Sequence, residues 1–149
     1  MTSFDEFSLG RLLGHICRLQ ATRADQLMEQ IGLYRAQAGM LLMLSDRDGL
    51  MNSEIAENMH FSPAAATRVI QRLEKAGFLE RRPDPSDERV TRVFLRDEGR
   101  AVIEQIHNSF QKLNGIIVHD ISPEEQQTLH DLLIRILNNL QEIPFDQVD

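Results

Sequence analysis

From Ser62 to Gly77 the chain carries a helix with both of its ends written into it. Ser62 can cap the free backbone N–H groups of a first turn, and Pro63 suits the first helical position, where no donor is needed. Gly77 is placed to end the helix, since a left-handed residue after the last turn is cheapest as glycine. Between these stops Val69, Ile70, Leu73 and Ala76 recur at helical spacing, while Ala64, Ala65, Thr67, Arg68, Gln71 and Arg72 lie largely off that stripe. One face is committed to a core and the other is left available.

The segment after Gly77 restricts the fold further. Phe78-Leu79-Glu80-Arg81-Arg82 and Val90-Thr91-Arg92-Val93-Phe94-Leu95 read as two strands, the second with Thr91, Val93 and Leu95 alternating with Arg92 and Phe94. Pro83 to Arg89 is a turn-rich tip between them. A short helix from Ser53 and a turn precede the capped helix, and a third helix comes after the hairpin. That order is a winged helix-turn-helix: mainly α, with a small β-hairpin wing. Small residues at the start of the capped helix allow close approach to base edges in a major groove. Arg68 is long enough to reach guanine, and Thr67 can meet a thymine methyl or a phosphate. An Arg at the wing tip suits the narrow minor groove, and a carboxylate two residues earlier can steady it, as Asp87 stands to Arg89. The expected contacts to double-stranded DNA are therefore Ser62, Ala64, Ala65, Thr67, Arg68, Gln71 and Arg72 from the helix, with Arg82, Asp87, Arg89 and Arg92 from the wing.

A formal net charge of −7 looks wrong for such a task until it is divided along the chain. His60 to Arg96 holds eight basic and five acidic residues, so this segment carries +3 and the remainder −10. A basic head on an acidic body orients approach to phosphate and limits nonspecific sticking. With 149 residues a single domain over 1–149 can bury a real core, divided into a reading head over about 33–99 and flanking helices over about 7–31 and 100–145. No apolar run is long enough to span a bilayer and no signal-peptide pattern opens the chain, so a cytoplasmic location and no membrane partner are expected.

The flanking segments are amphipathic. Leu9, Leu13, Ile16, Ala24, Leu27, Met28 and Ile31 mark one long helix, and Val102, Ile103, Ile106, Phe110, Leu113, Ile116 and Ile117 mark another from Asp97 to about His119. Ser122-Pro123-Glu124-Glu125 is a capping box for a last helix reaching about Leu140. Its Leu129, Leu132, Leu133, Ile136, Leu137 and Leu140 give an apolar face broader than one neighbouring helix can cover, for which a second copy of the chain is the simplest cover.

Leu33 to Gly99, with Gln37, Ile55-Ala56, Leu73-Glu74-Lys75-Ala76-Gly77, Asp84-Pro85-Ser86-Asp87-Glu88-Arg89 and Leu95-Arg96-Asp97-Glu98-Gly99, resembles the MarR family of bacterial and archaeal regulators. The resemblance implies a homodimeric repressor whose terminal helices interlock, binding a pseudo-palindrome with half-sites roughly 34–36 Å apart. It also implies a small aromatic or anionic effector between the dimer helices and the head, for which Arg11, His15, Arg18, Met40, Met43 and Leu44 are the candidates. Glu88 stands where the family commonly has a second Arg. His60 stands where the turn often has Gly, and is expected to tolerate positive φ. Tyr34, Met51 and Arg96 replace a usual capping Thr, so their helices are expected to draw caps from Asn52, Ser53 or Asp97.

Alternatives remain. One branch of the family senses oxidants through a Cys on the first helix, and Cys17, the single cysteine, lies on that helix beside Arg18. His15, His60, His107, His119 and His130 lack metal-site spacing, and neither a metal nor another cofactor is expected. No phosphate loop, nucleophile elbow or Cys pair points to an enzyme. A winged helix that docks a protein instead of DNA is the remaining rival, and salt response separates the two.

Overall fold

The computed structural model describes residues 8–144. The ends of the expected flanking helices at positions 7 and 145 lie outside the described residues. The elements are α1 (Leu9–Gln30), α2 (Arg35–Asp46), β1 (Leu50–Met51), α3 (Asn52–Asn58), α4 (Pro63–Lys75), β2 (Leu79–Pro83), β3 (Thr91–Leu95), α5 (Asp97–Ile117) and α6 (Pro123–Glu142). The sheet has the order β1-β3-β2 and is antiparallel throughout. The hairpin is the one expected; β1 is an addition. Two residues carry no periodic signal, and it is pairing with β3, Leu50 opposite Val93 and Met51 opposite Arg92, that makes them a strand.

Three helices end in the same way, because the chain must turn sharply and keep its last carbonyls bonded. After α1, Gly32 at φ 73° sends its N–H to Glu29 O and Leu33 sends its own to Met28 O. After α4, Gly77 at φ 84° and Phe78 bond Glu74 O and Leu73 O. After α3, His60 takes the left-handed position at φ 54°, as expected, and Phe61 N–H reaches Ala56 O at 2.9 Å. These are Schellman closures, with a histidine bearing at the helix-turn-helix turn the strain a glycine would avoid.

The starts of α2 and α3 depart from expectation. The Tyr34 N–H donates to Gln37 Oε1 and the Met51 N–H to Glu54 Oε2, both at 2.8 Å. The third residue of each helix reaches back to the cap backbone, which is half of a capping box and needs no hydroxyl at the cap. Asn52, expected to cap α3, instead donates its Nδ2 to Thr67 Oγ1 of α4 at 2.9 Å. α6 has the full box, with Ser122 Oγ accepting from Glu125 N–H and Glu125 accepting from Ser122 N–H.

The chain divides into two compact units, one up to Leu113 and one from Asn114. In the first, Leu41, Leu44, Ile55, Leu73, Leu79, Val93 and Ile106 are wholly buried and join the helices to the sheet; Ala24 and Met28 are what α1 buries. Leu9, Leu12, Ile16 and Leu19 leave the other half of α1 apolar and exposed. In the second unit α6 buries no residue at all, and Leu129, Leu132, Leu133, Leu137 and Leu140 are exposed. No described helix is long and apolar enough to cross a membrane.

One glycine is demanded by space. A Cβ on Gly99, in the first turn of α5, would collide with the Phe78 carbonyl oxygen. Gly99→Ala is expected to destabilise the chain by about 1–3 kcal/mol through overpacking. Gly115→Ala lies on the same helix with nothing within 4 Å. It should instead add about 0.5–1 kcal/mol through helix propensity. Urea unfolding of both variants checks the pair of signs.

Candidate nucleic-acid interface

The start of α4 is organised before any ligand arrives. Ser62 Oγ accepts the Ala65 N–H at 3.2 Å, and Pro63 occupies the first turn. Ala66, Ile70 and Leu73 are buried, Val69 is partly so, and Ala76 is exposed rather than part of the core stripe. Ser62, Ala64, Arg68, Gln71 and Arg72 are exposed, whereas Ala65 and Thr67 are half-buried. The Thr67 hydroxyl donates to Pro63 O at 2.8 Å and accepts from Asn52. Its proton is therefore committed to the helix, and its oxygen braces α4 against α3.

The arginines of the head fall into two sets. Arg81 forms a two-pronged pair with Glu74, at 3.2 and 2.7 Å, which ties the end of α4 to β2. Arg82 pairs with Glu80 and lies 4.9 Å over the Phe94 ring. Arg96 approaches Glu80 at 3.8 Å, and Arg100 donates to Asp48 Oδ2 at 2.6 Å. Arg92 pairs with Asp84, donates to Gly49 O at 2.9 Å and stands 4.0 Å from Glu54. Among the described residues Arg68 and Arg72 on α4 and Arg89 at the wing tip are exposed and hold no side-chain hydrogen bond or ion pair. The charge of the head is thus locally neutralised where it builds the scaffold and bare on the outer face of α4 and at the tip.

Two of the expected wing roles change with the geometry. Asp87 does not grip the Arg89 guanidinium; its Oδ1 accepts the Arg89 backbone N–H at 3.0 Å, forming a turn within the tip. Arg92, expected to contact DNA, is turned in to Asp84, Gly49 and Glu54. Asp84 is named in the sequence only as part of the wing motif and is not among the expected DNA contacts, although Asp-x-Ser beginning a tip is a turn signal. The residue is 7% exposed, and its carboxylate holds the Ser86 N–H, the Ser86 hydroxyl and Arg92. These hydrogen bonds, that from the Ser86 hydroxyl first, then that from Arg92 and then that from the Ser86 N–H, hold its pKa well below the ordinary 3.8 despite the opposing effect of burial.

The matched family model, MarR family, spans residues 33–91. The HTH-type transcriptional regulator YdgJ of Bacillus subtilis (strain 168) is 31% identical over 75% of this chain and 68% of its own length. The chain belongs to the MarR family. It is similar, at 27% identity over 87% of this chain and 90% of the relative, to the multiple antibiotic resistance protein MarR of Escherichia coli (strain K12). The crystal structure of a mutant MarR from E. coli complexed with operator DNA superposes with a TM-score of 0.77 at 27% identity, covering 92% of this chain and 99% of that one. This MarR-family chain is a transcriptional regulator, and members of the family are regulators and not enzymes.

The six expected effector contacts of this MarR-family chain are not equally available. Arg11, His15 and Arg18 are exposed on α1, and Met43 is half-buried on α2. Met40 and Leu44 have no exposure and belong to the core of the first unit. The core surrounds α2 on more than one side, so those two side chains are packing residues. Cys17 is exposed on α1 and unpaired.

Because the Asp84 pKa is depressed in the folded chain, its contribution to stability is complete above the ordinary 3.8 and is lost as pH falls through the lower folded value. Asp84→Asn should therefore unfold at lower urea than the wild type at neutral pH, by an amount that is constant above about pH 5 and shrinks below 3.8. Urea midpoints for the two proteins between pH 7 and pH 3 check this; a difference that stayed constant to pH 3 would contradict it.

Proposed function

We propose that this chain is a homodimeric, ligand-responsive repressor that binds a pseudo-palindromic operator. In this reading α4 enters the major groove and Arg89 the minor groove. The observation that carries it is that Arg68, Arg72 and Arg89 are exposed without a carboxylate partner in a head whose other arginines are paired with carboxylates. Bare guanidiniums on a capped helix and on a hairpin tip fit the two grooves, and each is free to exchange water for a base edge or a phosphate without breaking a protein ion pair. The relative crystallised with operator DNA has the same architecture.

The apolar half of α1 and the apolar face of α6 support the dimer, since exposed leucines in such numbers are costly in water. Two heads related by a two-fold axis fit half-sites roughly 34–36 Å apart. The whole of 1–149 then works as one unit whose reading head and terminal helices divide the labour. A small aromatic or anionic effector would bind by meeting Arg11, His15 and Arg18 of α1 and the half-buried Met43 of α2. A cytoplasmic site of action accords with a DNA partner.

Selection of binding sites from a random DNA pool should enrich a palindrome, and affinity for the winner should fall steeply with salt. Arg68→Ala should cost about 1–3 kcal/mol on that duplex and relax base preference at one position of each half-site. No enrichment, with weak and salt-insensitive binding, would transfer the reading to a protein-docking winged helix. Sedimentation at low concentration checks the dimer, which a persistent monomer would exclude. Titration with a series of aromatic acids should release heat and weaken binding to the selected duplex; neither effect would appear without an effector site.

A further inference from the structure

Among the described residues the guanidinium of Arg89 has no protein partner, so what the protein holds in place is the wing-tip backbone from which Arg89 extends. That backbone is closed by the Asp84 N–H on Val90 O at 2.8 Å and the Val90 N–H on Asp87 O at 2.9 Å. Inside the closure Asp84 Oδ1 takes the Ser86 N–H at 2.8 Å and the Ser86 hydroxyl at 2.5 Å. The other oxygen of the same carboxylate takes Arg92, on the neighbouring strand. Arg92 in turn donates to Gly49 O beside β1 and faces Glu54, the residue that caps α3. One chain of contacts thus runs from the wing tip to the start of the helix-turn-helix.

We infer that Asp84 and Arg92 are positioning residues that aim Arg89 at its groove, with Arg92 making no phosphate contact of its own. This rests on the wing reading proposed above and extends it to residues that touch no DNA. Arg92 faces two carboxylates and a carbonyl, so its charge is balanced within the protein. Asp84 is the sole buried charged residue among those described, and its burial is tolerable because each oxygen is hydrogen-bonded. The clamp lies beside the β2–β3 ladder and does not form part of its backbone pairing, so breaking it loosens the tip backbone that carries Arg89, and the advantage of presenting that side chain from a fixed backbone is lost.

The test is a double-mutant cycle on the duplex that the wild-type chain enriches, with folding of each variant checked by thermal unfolding. Arg89→Ala should weaken binding by about five- to a hundredfold. Arg92→Gln alone should reproduce most of that loss, and the double variant R89A/R92Q should bind no more than about twofold more weakly than R89A, because coupled residues are non-additive. The salt slope should fall once, for Arg89, and not again for Arg92. Should Arg92→Gln fail to fold, Arg92→Lys serves, since a lysine keeps a point charge for phosphate but cannot hold Asp84 and Gly49 together. Loss of affinity in R92K supports the clamp, and wild-type affinity in R92K points to a direct phosphate contact and overturns it. Additive losses from R89A and R92Q, or a second decrease in salt slope, overturn it as well. If R89A is silent while the wild type still binds its duplex, the wing reading fails and the inference with it.

Discussion

The head is built around the carbonyl of Phe78. The Phe78 N–H closes α4 on Leu73 O, and its oxygen accepts the Arg96 N–H at 2.9 Å as β3 gives way to α5. The same oxygen lies so near α5 that only a glycine fits at position 99. Four elements therefore converge on one peptide group: the end of α4, the start of β2, the end of β3 and the start of α5. A carbonyl hydrogen-bonded to one element and packed against another is stiff, because displacing it costs the hydrogen bond and the packing together. The orientation of α4 relative to the wing depends on this junction, and so does the angle at which α5 leaves the head. Asp48 reinforces it from the other side, accepting the Leu95 N–H at 2.9 Å and the Arg100 guanidinium.

Much of this is legible in the sequence because the strongest signals are local. Ser62-Pro63, Gly77 and the Ser122 box mark helix ends by what a backbone needs at those points, and the structure places α4 and α6 where they predict. His60 is expected at positive φ and adopts it. The caps of α2 and α3 escape such a reading because the capping positions themselves, Tyr34 and Met51, have nothing to offer. The useful residues, Gln37 and Glu54, stand three places later and act in reverse. The strand β1 and the burial of Met40 and Leu44 are illegible for another reason. Each is decided by what the fold brings against the segment, and a two-residue strand or an all-round apolar helix has no period from which to infer it.

The candidate interface divides along the same line. That arginines cluster between Arg68 and Arg96 is plain in the sequence; which of them are free is not. Partner choice depends on hairpin register, and Arg92 reaches Asp84 only because the two strands pair Arg82 with Arg92 and Pro83 with Thr91. Closeness in number assigns Asp87 to the Arg89 side chain. In the folded tip the shorter path is to the backbone N–H, and the longer-range partnership across the hairpin takes the buried carboxylate.

Neutralising most of its arginines has a consequence for selectivity. A head with eight uncommitted basic groups would bind any duplex through phosphate, and that affinity would swamp discrimination between sites. Here carboxylates on Glu74, Glu80, Asp84 and Asp48 consume five of the head and α5 guanidiniums, and Glu88 adds negative charge next to Arg89. What is left bare is concentrated where geometry matters: one side of a capped helix and one hairpin tip. Under those conditions a misplaced guanidinium is not offset by its neighbours, so the contacts that aim the bare residues govern discrimination as much as the residues themselves. The small, rigid connections between α3, α4 and the wing, such as Asn52 to Thr67 and Arg92 to Gly49, acquire their importance from that scarcity of free charge.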